Sequence, residues 1–236
     1  MDRKEEINSY GDAINKAASA IYRFPLVDVQ GIPLMNWIAK NWSAVQAFRP
    51  DPSDVLISTY PKAGTTWTQE IVDLLRHNGD AEICKRAPTA VRIPFLEINS
   101  PPPIPSGLEL LKLMNPPRFI KTHLPIQLVP EGFWENKCKN PRREIVKIMQ
   151  YLDLSRSDVI IDKIVELTSF SVMKDNPMAN YSVIPKAVFD QSISNFMRKG
   201  EVGDWINYFT PAQSQIFDED YARQMADVDI PFRSKI

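Results

Sequence analysis

The sequence is short of glycine, with 8 among 236 residues, about 3%, against a usual ~7%. With so few, a glycine beside a polar cluster carries conformational information. Cysteine is scarcer still. Cys84 and Cys138 are the two present, which excludes a disulfide scaffold and fits a reducing compartment. No charge of one sign is in surplus: 28 Lys+Arg stand against 29 Asp+Glu, a formal net of −1. That excludes a general nucleic-acid binder, which carries a basic excess, but leaves room for a local pocket for one small anion. No run of ~18 apolar residues occurs, so no transmembrane helix is expected. The N-terminal stretch MDRKEEINSYGD lacks the apolar centre of a signal peptide. These absences together point to a cytoplasmic protein with no membrane partner.

Hydrophobic residues make up 44% of the chain, enough to exclude wholesale disorder. The length corresponds to one large domain or two small ones, and a core of that size needs no metal or disulfide staples. Proline is the one excess, 20 residues or about 8%, against a usual ~5%.

Residues 4–22 read as an amphipathic helix, with Ile7, Ala13, Ile14, Ala17 and Ile21 on one face, packed on the body of the protein. Phe24–Leu34 alternates apolar and polar around Gly31, the pattern of a short hairpin. Residues 35–48 are apolar and helical. A β-rich run, Asp54–Tyr60, is followed by the loop Pro61-Lys62-Ala63-Gly64. From Thr65 a helix is expected, with Trp67, Ile71, Leu74 and Leu75 inward. The proline-rich stretch 87–117 is expected as a long packed surface loop with a short helix near 107–114. Arg118–His123 reads as a second strand, stopped by Pro125. Asn140-Pro141 has the form of a helix start, Asn at the cap and Pro at the first position, for a helix running to about Leu152. Ser155–Phe170 and Met173–Asn176 follow as helices, then loops and helices from 180. Only two parallel strands and one hairpin emerge. A sheet usually has about four to six strands, so this α/β protein is short of strands.

Three clusters carry chemistry. In Tyr60-Pro61-Lys62-Ala63-Gly64-Thr65-Thr66-Trp67, strand, tight loop and helix follow in order. Backbone N–H groups and the positive end of a helix dipole hold an anion there. Gly64 allows close approach, Thr65 and Thr66 add hydroxyls, and Lys62 adds a charge for a developing oxyanion. The order is not that of a Walker A loop, where Lys follows the last Gly, which argues against a nucleotide kinase using Mg²⁺ and ATP. In Lys121-Thr122-His123, at a strand end where α/β folds place ligands, His123 is a candidate general base and Lys121 a charge beside a transferring anion. A structural role for His123 is the plainer alternative. Arg198-Lys199-Gly200 suits a terminal phosphate, or is an ordinary basic surface patch. His77, in a polar His-Asn-Gly-Asp stretch, is expected to be solvated.

These clusters together resemble the cytosolic sulfotransferase family, nearest its phenol-type members. The matching stretches are YPKAGTTW (60–67), RAPTAVRIPFLE (86–97), FIKTHLP (119–125), ELTSFSVMKDNPMANYS (166–182) and SISNFMRKGEVGDW (192–205). The resemblance implies a P-loop-like three-layer α/β fold with a central parallel sheet flanked by helices. It implies transfer of a sulfonate group from 3′-phosphoadenosine 5′-phosphosulfate (PAPS) to a hydroxyl or amine of a small molecule, without a metal, as in phenol and xenobiotic metabolism. Lys62, Ala63, Gly64, Thr65, Thr66 and Trp67 would cradle the 5′-phosphosulfate, with Lys62 on the bridging oxygen. His123 would take the acceptor proton, assisted by Lys121, and Phe95 would line the acceptor pocket with them. Thr168, Ser169, Phe170, Met173, Phe196 and Met197 would lie on the nucleotide. Arg198, Lys199 and Gly200 would hold its 3′-phosphate.

Two departures qualify the resemblance. The family carries a long segment between the stretches matching Trp134–Lys139 and Asn140–Glu144, with a further sheet strand and an Arg-Asn-x-x-Asp motif. The motif's Arg and a following Ser bind the 3′-phosphate, and a later Tyr contacts the adenine. Here Lys139 joins directly to Asn140, so the chain reads as one sulfotransferase-like domain, 1–236, internally deleted near 139/140, with an incomplete sheet. The alternative function is a catalytically inactive homologue with impaired nucleotide binding. The family's dimer motif, Lys-x-x-x-Thr-Val-x-x-x-Glu, falls on Ile206, Thr210, Pro211 and Gln215. Only Thr210 matches, so a homodimer built by that route is not expected.

Overall fold

The computed structural model describes residues 25–99, 104–125, 128–130, 143–186, 189–201 and 203–224, together with 12, 13, 16 and 226. Most of the helix expected over residues 4–22, Cys138 and the Asn140-Pro141 helix start lie outside the described residues. By its internal contacts the chain forms two compact units, Met1–Met197 and Arg198–Ile236.

The first unit opens with the expected hairpin. Strands β1 (Leu26–Val29) and β2 (Ile32–Met35) pair antiparallel, Val29 opposite Ile32. The Asp28 carboxylate accepts the Gly31 N–H at 3.0 Å and closes the turn, as short acidic side chains do. The helical stretch after it is broken into α1 (Asn36–Ala39) and α2 (Trp42–Gln46). Strand β3 (Val55–Ser58) leads into α3 (Thr65–Arg76). Short helices α4 (Ala81–Cys84) and α5 (Thr89–Arg92) follow, then α6 (Gly107–Leu113) and strand β4 (Phe119–Thr122). Helices α7 (Arg143–Tyr151), α8 (Asp158–Leu167) and α9 (Phe170–Met173) complete the unit.

Strands β3 and β4 are parallel and in register, Val55 beside Phe119 and Ser58 beside Thr122. On the other side of β4, Lys121 N–H donates to Pro94 O at 2.9 Å and Leu96 N–H to Lys121 O at 2.8 Å. Phe95 thus forms a parallel bridge with Lys121. Alternate side chains of a strand point to opposite faces. Accordingly Phe119 enters a core with Ile57, Ile71, Leu75, Ile93, Ile145, Ile148, Ile161 and Ile164, under α3, α7 and α8. Ile120 enters a second core with Val45, Leu96, Leu108, Leu111 and Leu124, under α2 and α6. Helices therefore cover both faces of a small parallel sheet, the three-layer arrangement expected from the sequence.

Two expectations are corrected. The stretch 87–117 carries the expected short helix as α6, but its described part is not otherwise a surface loop: it contains α5, and Thr89, Arg92, Ile93, Leu96 and Glu97 are buried, because Arg92 and Glu97 find polar partners inside. The helix expected at Met173–Asn176 instead occupies Phe170–Met173.

The second unit contains a 3₁₀ turn, Asp204–Asn207, and helix α10 (Pro211–Gln224). Pro211 occupies the first helical position, where its missing N–H costs nothing. Thr210 precedes it, with its N–H and hydroxyl donating to the Gln213 side chain at 3.0 and 3.1 Å. Pro211, which departs from the motif expected there, is here the first residue of a helix.

Candidate active site

The loop between β3 and α3 is built around two left-handed residues, Lys62 (φ 66°) and Gly64 (φ 93°). Glycine adopts that conformation freely, whereas lysine does so at a cost. Such strain gathers at functional loops. Thr68 N–H is the first in α3 to find an intrahelical acceptor, Gly64 O at 3.0 Å. The amides of Gly64, Thr65, Thr66 and Trp67 therefore have no intrahelical acceptor, and no side chain caps them. A twelve-residue helix with an uncapped start presents partial positive charge to an anion. Thr65 and Thr66 are buried, while Lys62, Ala63 and Trp67 are exposed.

Thr59 joins this loop to β4. Its hydroxyl lies 2.5 Å from that of Thr65, and its carbonyl is 2.7 Å from His123 Nδ1. A carbonyl only accepts, so His123 Nδ1 carries the proton and Nε2 keeps its lone pair. Burial pushes the His123 pKa below its ordinary value, the Thr59 carbonyl opposes this, and Lys121 adds to the lowering. The ring is therefore neutral and basic near neutrality. Phe95 meets it edge-on, centroids 5.1 Å apart.

Lys121 is buried, with its Nζ 3.9 Å from the Phe95 ring centroid and donating to the Tyr181 hydroxyl at 3.3 Å. Burial drops its pKa to about 8, against the opposing effect of Glu97. Lys62 Nζ donates to Phe196 O and lies 4.0 Å from the Phe196 ring centroid. Phe196 in turn packs on Tyr181, centroids 4.2 Å apart. Lys62, Phe196, Tyr181, Lys121, Phe95 and His123 thus form one chain of contacts.

The remaining expected residues are placed as follows. Thr168 is buried at the end of α8, its hydroxyl donating to Ile164 O at 2.7 Å. Ser169 occupies the N-cap position of α9 without a side-chain capping bond, and its hydroxyl lies 3.2 Å from that of Ser171. Phe170 is half-buried and begins α9, and Met173 is buried in it. Met197 is half-buried at the end of the first unit. Arg198, Lys199 and Gly200 are exposed in the second unit. There Asp204 receives Arg198 Nη1, and Lys199 Nζ at 2.8 Å. These hydrogen bonds, with one from Asn207, hold the Asp204 carboxyl far below the usual carboxylate range. The basic pair is thus anchored on an internal acid.

His77 is only partly solvated. It is half-buried, with Nδ1 2.8 Å from Asp73 O, because a buried carboxylate lies at its helix turn. Asp73 also takes both Arg86 nitrogens, at 2.9 and 2.8 Å, and pairs with Arg92. Asp73, His77 and Cys84 lie close enough to suggest a cation site, but two guanidinium groups already neutralise that carboxylate. Three residues escaped the sequence reading. Tyr181 and Thr59 offered no signal. Glu97, buried and bonded to the His123 N–H at 2.8 Å, was marked only by being an acid at the end of an apolar run.

Comparison with known proteins defines the class. The sulfotransferase domain family matches residues 52–140 and 139–229, two stretches that meet at Lys139–Asn140. Mouse sulfotransferase 1 family member D1 is 39% identical over 290 positions, covering 92% of this chain and 98% of the mouse protein. Human sulfotransferase 1C2 is 39% identical over 281 positions, covering 88% and 95%. At least 54 positions of the mouse alignment (290 less 236) meet no residue of this chain. The fold is similar to that of retinol dehydratase in complex with androsterone and the inactive cofactor PAP, with TM-score 0.72, 20% identity and 98% of each chain covered. It is also similar to a mouse sulfotransferase complexed with PAP, with TM-score 0.62, 22% identity and 86% and 96% covered. The chain belongs to the sulfotransferase family, whose chemistry is sulfonate transfer.

Proposed function

We propose that this chain transfers a sulfonate group from PAPS to a hydroxyl or amine of a small, phenol-like acceptor in the cytoplasm, without a metal. The observation that carries this reading is the Thr59 bridge, which couples an uncapped helix start to an imidazole with a free Nε2. The residues present fit the phosphosulfate end of the donor. Four amides without intrahelical acceptors, a glycine in the left-handed conformation and Lys62 converge on one loop. When bound, the donor supplies an electrophilic sulfur and a phosphate leaving group. His123 Nε2 accepts the acceptor's proton as the new oxygen–sulfur bond forms. Lys62 moves off the Phe196 carbonyl to neutralise the oxygen released when the old bond breaks. Lys121 offsets charge on the group in transit. Positioning and charge neutralisation supply most of the acceleration. Phe95 lines the acceptor side, and the nucleotide lies against Thr168, Ser169, Phe170, Met173, Phe196 and Met197. Arg198, Lys199 and Gly200 take the 3′-phosphate, and the protein acts without the family's dimer contact.

The test is turnover of a phenol panel with PAPS across pH 5–9.5. Activity is expected to rise through a pKa below 6.5, as His123 loses its proton, and to fall above about 8, as Lys121 loses its own. His123→Ala is expected to reduce turnover by roughly 10²–10⁴-fold. Turnover unchanged in that variant refutes the assignment. A second reading is favoured by the positions that meet no residue of this chain. We infer an internal deletion at 139/140 in a single shortened domain. A lost Arg–phosphate contact is worth about 1.5–3 kcal/mol, so donor affinity would drop roughly ten- to a hundredfold. A donor dissociation constant in the range of full-length relatives removes that reading.

A further inference from the structure

Glu97 is buried, and its contacts are with the end of β4. Its Oε1 accepts the His123 backbone N–H at 2.8 Å, and its Oε2 accepts the Thr122 hydroxyl at 2.9 Å. Thr122 Oγ1 itself accepts the Leu124 N–H at 3.0 Å, so its proton is committed to Glu97. One carboxyl group therefore ties down three consecutive residues at the point where β4 ends. Its own segment is fixed in turn. Residues 94–96 bond to both sides of Lys121, and Gly107 N–H donates to Ile98 O at 2.8 Å. We propose that Glu97 is a positioning residue for sulfonate transfer, holding the end of β4 so that His123 and Lys121 stay aimed. This rests on the function proposed above.

The proposal has an electrostatic half as well as a geometric one. Among the described residues the titratable groups facing Lys121 are Glu97, His123 and the Tyr181 hydroxyl. Ionised Glu97 favours the ammonium form, against the burial that drops it to about 8; burial raises the Glu97 pKa too, while the hydrogen bonds from His123 N–H and Thr122 and the charge of Lys121 favour its carboxylate. A carboxylate near a buried cation favours its charged form. Removing the carboxylate charge therefore lowers the Lys121 pKa and leaves less ammonium at neutral pH. A role confined to folding would not move that titration.

The experiment compares Glu97→Gln and Glu97→Asp with Glu109→Ala, which removes the acceptor of the α6 capping box. Glu97→Gln is expected to lower kcat about ten- to a hundredfold, with the KM for PAPS within about threefold. Its alkaline limb should move at least about half a pH unit to the acid side. Glu97→Asp keeps the charge but shortens the reach, so kcat falls while the limb stays near 8. Glu109→Ala loses stability without moving the limb. Wild-type kcat and limb in Glu97→Gln overturn the proposal. If the unaltered chain turns over no phenol, the functional reading fails separately. ¹³C-labelled lysine NMR still decides Glu97. The signal absent in Lys121→Arg should titrate near 8 in the unaltered chain and lower in Glu97→Gln. The same midpoint in both overturns the proposal.

Discussion

Arg92 is the most committed charge in the protein. It is buried between Glu70 and Asp73, pairs with both, and gives its Nε–H to Ala87 O at 2.7 Å. Burial raises the Glu70 pKa against the pull of Arg92. Burial would raise that of Asp73 too, but the guanidinium groups of Arg86 and Arg92 hold it below the usual carboxylate range. Removing one partner of a buried network strands the others, at a cost of about 3–5 kcal/mol. Arg92→Met is expected to lose about that much in urea unfolding at pH 7. The deficit should shrink on acidification, because Glu70 freed of its cation takes up a proton and ceases to be a buried charge. A deficit independent of pH between 5 and 7 would mean that side-chain packing, not charge, is the cause. Nothing in the local pattern of Arg-Ala-Pro-Thr-Ala-Val-Arg marks its second arginine as buried. Its partners are 22 and 19 residues earlier on α3, a pairing visible only once the helix is folded against the segment.

At the scale of elements, the placement of α6 depends on a glycine that is not in a left-handed conformation. A Cβ at Gly107 would sit 1.4 Å from Phe95 O, so the helix start touches the backbone of the segment carrying Phe95 and Glu97. Gly107→Ala forces these apart. Overpacking of this kind costs typically ~1–3 kcal/mol and occasionally more. The expected outcome is a loss at or above the top of that range in thermal unfolding, with kcat falling further than the site residues' own chemistry explains. A neutral Gly107→Ala would show that α6 is free to shift. Gly64 differs. An added Cβ there meets only Trp67, at 3.9 Å, and its role is conformational. The sequence exposed the second case and hid the first. Gly64 stands in a loop between a β-rich run and a helical period, where a left-handed residue is expected. Gly107 stands in an apolar, proline-rich stretch, and its neighbour Phe95 is distant in sequence. The same contrast runs through the site. Lys62, Thr65, His123 and Lys121 were legible because each sits at the end of a periodic element. Thr59, Glu97 and Tyr181 were not, because their contacts cross between elements. The strands were legible from β-rich runs bounded by prolines and polar loops. The start and stop of α5 were set by buried polar partners that periodicity does not reveal.

At the scale of the whole molecule the question is how a family fold works with so little sheet. Among the described residues β3 pairs only with β4, and the third ribbon is a single bridge at Phe95. An unpaired strand edge is a liability for association, and large apolar side chains are exposed on the second unit, Trp205, Phe209 and Phe217 among them. Under the deletion inferred above, a segment that would carry a neighbouring strand is missing. The proposed phosphosulfate cradle lies within one loop and one helix start and does not depend on that segment. The proposed nucleotide end draws on more of the chain, and the Arg198-Lys199 pair already serves Asp204. The donor product 3′,5′-phosphoadenosine therefore separates the two ends. A ligand at ~100 times its dissociation constant adds roughly 2.7 kcal/mol of stability. For a chain of this size that raises Tm by about 5–10 °C. The expected result is a cooperative melt whose shift needs roughly ten- to a hundredfold more ligand than full-length relatives need and disappears in Lys62→Ala. The same shift at the relatives' ligand concentration would mean that the residues present hold the nucleotide without the proposed extra contact. A cooperative melt with no shift at any concentration would remove nucleotide binding from this chain, and the proposed transfer reaction with it.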